Sequence, residues 1–229
     1  DDVVFSYSGI RPLPKSDERF TGRITRGHFV HRLDGDVPQF CMVGGKWTTF
    51  RAFAEQAADE VMSALKYDRR LDTLDLPVGG GDGYQADGAE LVRELVQTHG
   101  LRSERANHLV DVYGTKARDV VAFCSAFQSD EQLSPVTQMT RGEVAYLVDR
   151  EAVVHLSDLI LRRTPLAITG VISRDLISTI ADIAARELGW TAAQQQQEIN
   201  SLVSELGDFY GVSPEMLEQR NSERKTGCA

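Results

Sequence analysis

The sequence predicts an α+β chain: a short antiparallel strand section with one helix, then an all-helical domain. Three observations carry this. Up to residue 43, β-rich runs are bounded by Gly, Pro and Asp. From Trp47 onward apolar residues recur at spacings of three and four. A Gly- and Asp-rich stretch then separates the first helix from a long series of helical patterns.

In order along the chain, Val3 to Tyr7 is β-rich and leads into Ser8-Gly9-Ile10-Arg11-Pro12-Leu13-Pro14. Ile24 to Leu33 and Gln39 to Val43 read as two strands joined at Asp34-Gly35-Asp36, a hairpin. Phe50, Phe53, Ala54, Ala57, Val61 and Leu65 then line one face of a helix. Residues 67–88 read as a linker, punctuated by Pro77 and by Gly79-Gly80-Gly81-Asp82-Gly83. The triple glycine has no following Lys-Ser or Lys-Thr and no preceding buried strand, so it does not read as a phosphate loop.

The remainder is helical. Ala89 to His99 stops at Gly100; a second helix opens at Ser103 and closes at Tyr113-Gly114; Thr115 to Phe127 is a third. Thr140-Arg141-Gly142-Glu143 matches a capping box. Ser157 to Arg163 is a short helix, with Arg162 and Arg163 an expected ion-pair node. Ser173 caps a helix with Leu176, Ile177, Ile180, Ile183 and Leu188, stopped by Gly189. Thr191 and Gln194 cap another, with Ile199, Leu202, Val203, Leu206 and Phe209 on its apolar face; its Gln194–Gln197 run is a solvated side. Ser213-Pro214 opens a last helix, with proline at the first helical position. The predicted organisation is a strand-and-helix module over 1–66, a linker over 67–88, a helical domain over 89–222 and a frayed tail over 223–229.

Composition narrows the function classes. The chain has 229 residues and a formal net charge of −9, which argues against a nucleic-acid surface. The three cysteines, Cys41, Cys124 and Cys228, are widely spaced and show no metal-binding spacing, as expected of reduced thiols. No apolar run reaches the ~18 residues of a membrane span. Asp1-Asp2-Val3-Val4-Phe5 has no signal-peptide character and reads as a chain entered in mid-fold.

The chemistry concentrates at Val43-Gly44-Gly45-Lys46-Trp47-Thr48-Thr49-Phe50. Glycines where a strand meets a helix permit a sharp turn and close approach of another group. The helix start leaves N–H groups unpaired and carries partial positive charge, to which Lys46 adds a full one. That combination suits an electron-rich ligand group.

Four segments in order resemble the C-terminal part of bacterial FAD-dependent, quinone-linked glycerol-3-phosphate dehydrogenases. Ser8-Gly9-Ile10-Arg11-Pro12-Leu13 is similar to the family's Gly-x-Arg-Pro-Leu segment, and Ile24-Thr25-Arg26-Gly27-His28 to the strand after it. Gly44-Gly45-Lys46-Trp47-Thr48-Thr49-Phe50-Arg51 resembles Gly-Gly-Lys-x-Thr-Thr-Tyr-Arg. Glu143 to Val148 with Glu151, and Asp158 to Thr164, resemble the helical C-terminal domain. The resemblance implies oxidation of glycerol 3-phosphate to dihydroxyacetone phosphate by hydride transfer to FAD, with electrons passing to a quinone. It assigns Arg11 and Lys46 to catalysis and substrate, with Arg26 as a further substrate candidate. Gly44, Gly45, Lys46, Trp47 and Thr48 fall to the cofactor. It further implies a cytoplasmic protein, peripheral at the inner face of the membrane, and a homodimer as a possible assembly.

The chain departs from the family in two ways. No Gly-x-Gly-x-x-Gly fingerprint for the FAD pyrophosphate occurs in it, and Trp47 stands where a smaller aliphatic residue is common. None of the five histidines occupies the family's candidate-base motif. The chain alone is therefore expected to be inactive, with its first strands prone to pairing with other chains. Two alternatives compete: a non-catalytic helical module for dimer, membrane or partner contacts, and part of a related amine or amino-acid oxidase.

Overall fold

The computed structural model describes residues 3–9, 27–44 and 46–226, with side chains to residue 221. The fold is α+β with a helical C-terminal domain, and the chain divides into two compact units, Gly9–Pro77 and Asp1–Ser8 with Val78–Ala229.

In the smaller unit, β1 (His28–Leu33) and β2 (Gln39–Gly44) form the predicted hairpin, with His28 opposite Gly44 and Leu33 opposite Gln39. Ile24 to Arg26 of the predicted first strand lie outside the described residues. A three-residue 3₁₀ turn, Trp47–Thr49, leads into α1 (Phe50–Ala64), which packs on the hairpin. The predicted stripe on α1 is buried only at Phe53, whose ring meets His28 at 4.7 Å. Phe50, Val61 and Leu65 remain exposed.

Part of the predicted linker folds back along α1. Arg51 donates to the carbonyls of Thr73 and Leu76, and Glu55 accepts from Thr73 N at 2.9 Å and pairs with Arg69. The rest joins the helical unit through a backbone-to-backbone approach. A Cβ on Gly80 would stand 1.8 Å from Tyr113 O, and one on Gly114 (φ +56°) 2.4 Å from Gly80 O. The triple glycine therefore serves contact between main chains.

The helical unit contains α2 (Ala89–His99), α3 (Ser103–Tyr113), α4 (Ala117–Ala126), α5 (Arg141–Arg150), α6 (Arg174–Leu188), α7 (Ala192–Tyr210) and α8 (Pro214–Thr226). Local stop signals act as read: Gly100, Gly189 and Gly211 all adopt positive φ at helix ends. At the N-termini, Ser173 Oγ accepts from Leu176 N, and Thr191 with Gln194 forms a reciprocal capping box. Buried Ile177, Ile180, Ala181, Ile183 and Ala184 place α6 in the core, beside α5 and α7.

Several expectations give way here. Val3–Tyr7 is not a strand; within the larger unit Ser6 donates to the carbonyl that ends α7 and Val4 O accepts from the Arg220 side chain on α8, in place of a neighbouring strand. Thr115 to Phe127 begins as a 3₁₀ turn, and α4 proper starts at Ala117. Asp158–Arg163 is a π-helical turn; Arg162, exposed, meets Asp158 at 3.1 Å, and Arg163, half-buried, donates to Glu151 O. Phe209 points to solvent at 70% exposure. A hairpin of β3 (Gln132–Ser134) and β4 (Thr137–Thr140) precedes α5.

Candidate functional site

The turn between β2 and α1 is built from its backbone outward. Gly44 closes β2 at φ +75°, and a Cβ there would come 2.4 Å from Gly27 O across the hairpin. Only glycine fits, on both steric and conformational grounds. Lys46 follows in an extended conformation (φ −122°, ψ 152°) and caps the 3₁₀ turn with its main chain. Its carbonyl accepts Thr49 N at 3.0 Å and Thr49 Oγ1 at 3.1 Å, while its own N–H meets Thr49 Oγ1 at 3.3 Å. Thr49 thus fixes the turn, and Trp47 and Thr48 supply N–H groups that have no intrahelical acceptor.

The side chains leave this turn outward. Lys46, Trp47 and Thr48 are exposed, Trp47 by 89%. Among the described residues no carboxylate pairs with Lys46. The Trp47 and Phe50 rings lie 6.0 Å apart, and both are exposed. The structure thus brings Gly44, Lys46, Trp47 and Thr48 together. Gly45, Arg11 and Arg26 lie outside the described residues.

The helical unit holds a buried polar centre that the sequence did not disclose. Glu143, on the first turn of α5, is fully buried and accepts from Arg105, from Tyr113 OH at 2.8 Å and from His108 Nε2 at 3.0 Å. Arg105, itself buried, also donates to Gln138 O at 2.8 Å and Thr140 Oγ1 at 3.1 Å. The capping box is thus half realised: Thr140 caps α5 through Glu143 N, but the Glu143 carboxylate turns inward to α3.

Burial pushes the Glu143 carboxyl upward, yet the His108 hydrogen bond and the Arg105 charge outweigh it and hold the group below its usual range. Burial, followed by the Glu143 charge, drives the Tyr113 hydroxyl well above its usual range. Burial, with the Asp130 charge, pushes the Cys124 thiol up to about 12, so Cys124 is no thiolate nucleophile at neutral pH. The centre is satisfied internally and is structural. Among the described residues no cluster of His, Cys, Asp or Glu is arranged to hold a metal.

Residues 71–195 match the family described as the C-terminal domain of alpha-glycerophosphate oxidase. The chain belongs to this family. Its relatives include the glycerol-3-phosphate dehydrogenase of Synechocystis, 31% identical over 86% of this chain and 36% of that protein. Glycerol-3-phosphate dehydrogenase 2 of Mycobacterium bovis is 32% identical over 95% of this chain and 36% of its own length. The rat mitochondrial glycerol-3-phosphate dehydrogenase is 32% identical over 87% of this chain and 28% of its own. The chain therefore spans about a third of the length of the curated relatives it matches. A solved structure, the glycerol-3-phosphate dehydrogenase of Bacillus halodurans complexed with FAD, shares the fold. Its TM-score is 0.67 over 80% of this chain and 38% of that one, at 22% identity.

Proposed function

We propose that this chain is the C-terminal part of a FAD-dependent dehydrogenase that oxidises glycerol 3-phosphate to dihydroxyacetone phosphate and passes the electrons to a quinone. The observation that carries the reading is the family match over the helical domain, joined to relatives whose similarity extends across the glycine turn. The turn itself suits the electron-rich edge of a flavin ring through the first-turn N–H groups of Trp47 and Thr48 and the exposed cation of Lys46.

FAD, when bound, supplies the hydride acceptor. The chain's own part is electrostatic and positional. Trp47 and Thr48 N–H groups, at the positive end of the turn, favour negative charge placed before them. Lys46 adds a mobile ammonium that can meet the same charge or a substrate oxygen. Arg11 offers a guanidinium whose fork geometry suits phosphate oxygens, with Arg26 a second candidate. Dinucleotide binding requires a Gly-x-Gly-x-x-Gly element, and the chain alone, which contains none, turns over no substrate on this reading.

Among the described residues no helix is long and apolar enough to cross a membrane, which is compatible with a peripheral attachment at the inner face. Delivery to a quinone needs no more than such a contact.

The test is flavin reduction in the protein that carries this chain. Anaerobic addition of glycerol 3-phosphate should bleach the visible flavin absorbance, and a dihydroxyacetone phosphate assay should match it mole for mole. A flavin-loaded protein that ignores glycerol 3-phosphate but is bleached by an amine or amino acid would replace this reading with that of an amine oxidase.

A further inference from the structure

Arg51 ends the glycine-turn segment, yet its partners lie in the linker. It is the second residue of α1, at the positive end of the helix, where a cation is disfavoured and no acidic residue of the first turn offsets it. Its half-buried guanidinium donates through Nη1 to Thr73 O and through Nη2 to Leu76 O. One turn on, Glu55 accepts from Thr73 N at 2.9 Å and pairs with Arg69. A turn further, Asp59 meets Arg69 at 3.1 Å. Arg51, Glu55 and Asp59 are four residues apart and share one face of α1. Thr73 is therefore gripped at both its N–H and its carbonyl, and within 67–76 it alone is not exposed.

The grip matters because α1 is otherwise lightly held. Phe53 is its one buried residue, against His28 of the hairpin, and most helix stability in proteins comes from a packed apolar face. The polar row on Arg51, Glu55 and Asp59 supplies a second hold. The helix also runs straight on from the turn. Thr49, the residue before Phe50, bonds to Lys46 O through both N and Oγ1. Where the start of α1 stands thus fixes where Lys46 and the N–H groups of Trp47 and Thr48 stand. Hairpin, turn, helix and residues 69–76 all belong to the smaller unit.

We propose that the linker positions the glycine turn by stapling α1, with Arg51 and Glu55 as the positioning residues. The proposal rests on the reading that this turn faces the electron-rich edge of the flavin ring. The ring gains negative charge when it is reduced, and aimed N–H groups and a cation stabilise that charge only while their geometry is kept. Releasing the staple should therefore disfavour the reduced ring relative to the oxidised one.

The experiment uses the flavin-loaded protein that carries this chain, with Arg51→Ala, Arg51→Lys, Glu55→Ala and Lys46→Met. Hydrogen exchange reads the staple. The Thr73 amide keeps its Glu55 acceptor in Arg51→Ala, yet should exchange at least tenfold faster there. Arg51→Lys should restore only part of the protection, because an ammonium cannot span two carbonyls as the guanidinium fork does. The flavin reduction potential reads the consequence. In Glu55→Ala the reduced form should be disfavoured about tenfold, a fall of about 30 mV for a two-electron couple. Arg51→Lys should lower the potential by part of that, with flavin content unchanged in both. Charge alone predicts otherwise: Arg51→Lys conserves charge and would shift nothing, and Glu55→Ala removes an anion and would raise the potential. Lys46→Met should lower the potential without altering Thr73 exchange.

Unchanged Thr73 exchange in Arg51→Ala overturns the staple. Faster exchange with a parental potential in Arg51→Lys and a raised one in Glu55→Ala overturns the positioning role; a lowered potential in Lys46→Met then leaves the flavin reading of the turn intact. A parental potential in Lys46→Met overturns that reading and the positioning role with it. Loss of flavin from Arg51→Lys and Glu55→Ala, with a parental potential in the fraction that keeps it, marks a merely structural role and also overturns the proposal.

Discussion

Replacing Glu143 by alanine should destabilise the helical unit more than any other single polar substitution in it. The carboxylate accepts from three donors on α3, and its removal strands all three. Arg105 is the costly one, because it is 7% exposed and cannot swing into water. It keeps the Gln138 carbonyl and the Thr140 hydroxyl, both neutral, so its charge is left hydrogen-bonded but without a counter-charge. Breaking a buried pair in this way costs about 3–5 kcal/mol, which for a domain of this size lowers Tm by roughly 10 °C. Glu143→Gln keeps the shape and part of the hydrogen bonding, so it should lose about half as much.

Urea unfolding of the chain, followed by circular dichroism at 222 nm, gives both numbers. The pH dependence gives an independent check. A glutamate in the unfolded chain titrates near 4.5, and the folded group lies below that. Its stabilisation is therefore fully present above the unfolded value and is lost as pH falls through the lower folded one. Glu143→Gln should flatten the stability curve in that acid window only. The reasoning also requires that Arg105→Met with Glu143→Leu be more stable than Glu143→Ala alone, since the pair is then removed together. A Glu143→Ala loss under about 1 kcal/mol, or a double variant worse than the single, would refute the assignment of the carboxylate as the centre of this network.

Three further outcomes are expected. Gly80→Ala must push the chain off Tyr113 O, at 1.8 Å from the added carbon, and should cost about 2 kcal/mol or more in the same urea titration; Gly81→Ala, whose Cβ meets nothing, should cost far less. Lys46→Met should leave urea stability within about 0.5 kcal/mol, because the side chain is exposed and has no carboxylate partner among the described residues, yet weaken glycerol 3-phosphate turnover in the flavin-loaded protein. His155 is raised above its usual 6.5 by its hydrogen bond to Glu198 and by that carboxylate's charge, so its NMR titration midpoint should fall in Glu198→Gln.

What could be read without a structure was what local chemistry decides. Glycine at a helix end, or Thr191 facing Gln194 three residues on, acts within one turn, and those signals located the helix ends well. The turn that carries Gly44 and Lys46 was legible for the same reason, since its strand and helix start are contiguous with it. Glu143 shows where this stops. A glutamate at the third position of a helix looks the same whether it turns back to its cap or inward to an arginine 38 residues earlier. Only the packing of α3 on β4 and α5 decides. β3 and β4, three and four residues long, are too short to display a period of two. Val3–Tyr7 has strand composition, but its partners are a helix-end carbonyl and an arginine more than 200 residues away. Composition could give its extended shape and not its neighbour.

That last case bears on the helical domain itself. It is built as a self-sufficient core, with α6 at its centre and a satisfied ionic network between α3 and α5. None of the residues assigned to flavin or substrate lies in it. Residues 4–6 belong to this unit: Phe5 packs against its core, Ser6 donates to the carbonyl that ends α7, and the Arg220 guanidinium holds the Val4 carbonyl. Both partners lie more than 200 residues away in sequence, so no local pattern in Val3–Tyr7 could announce them.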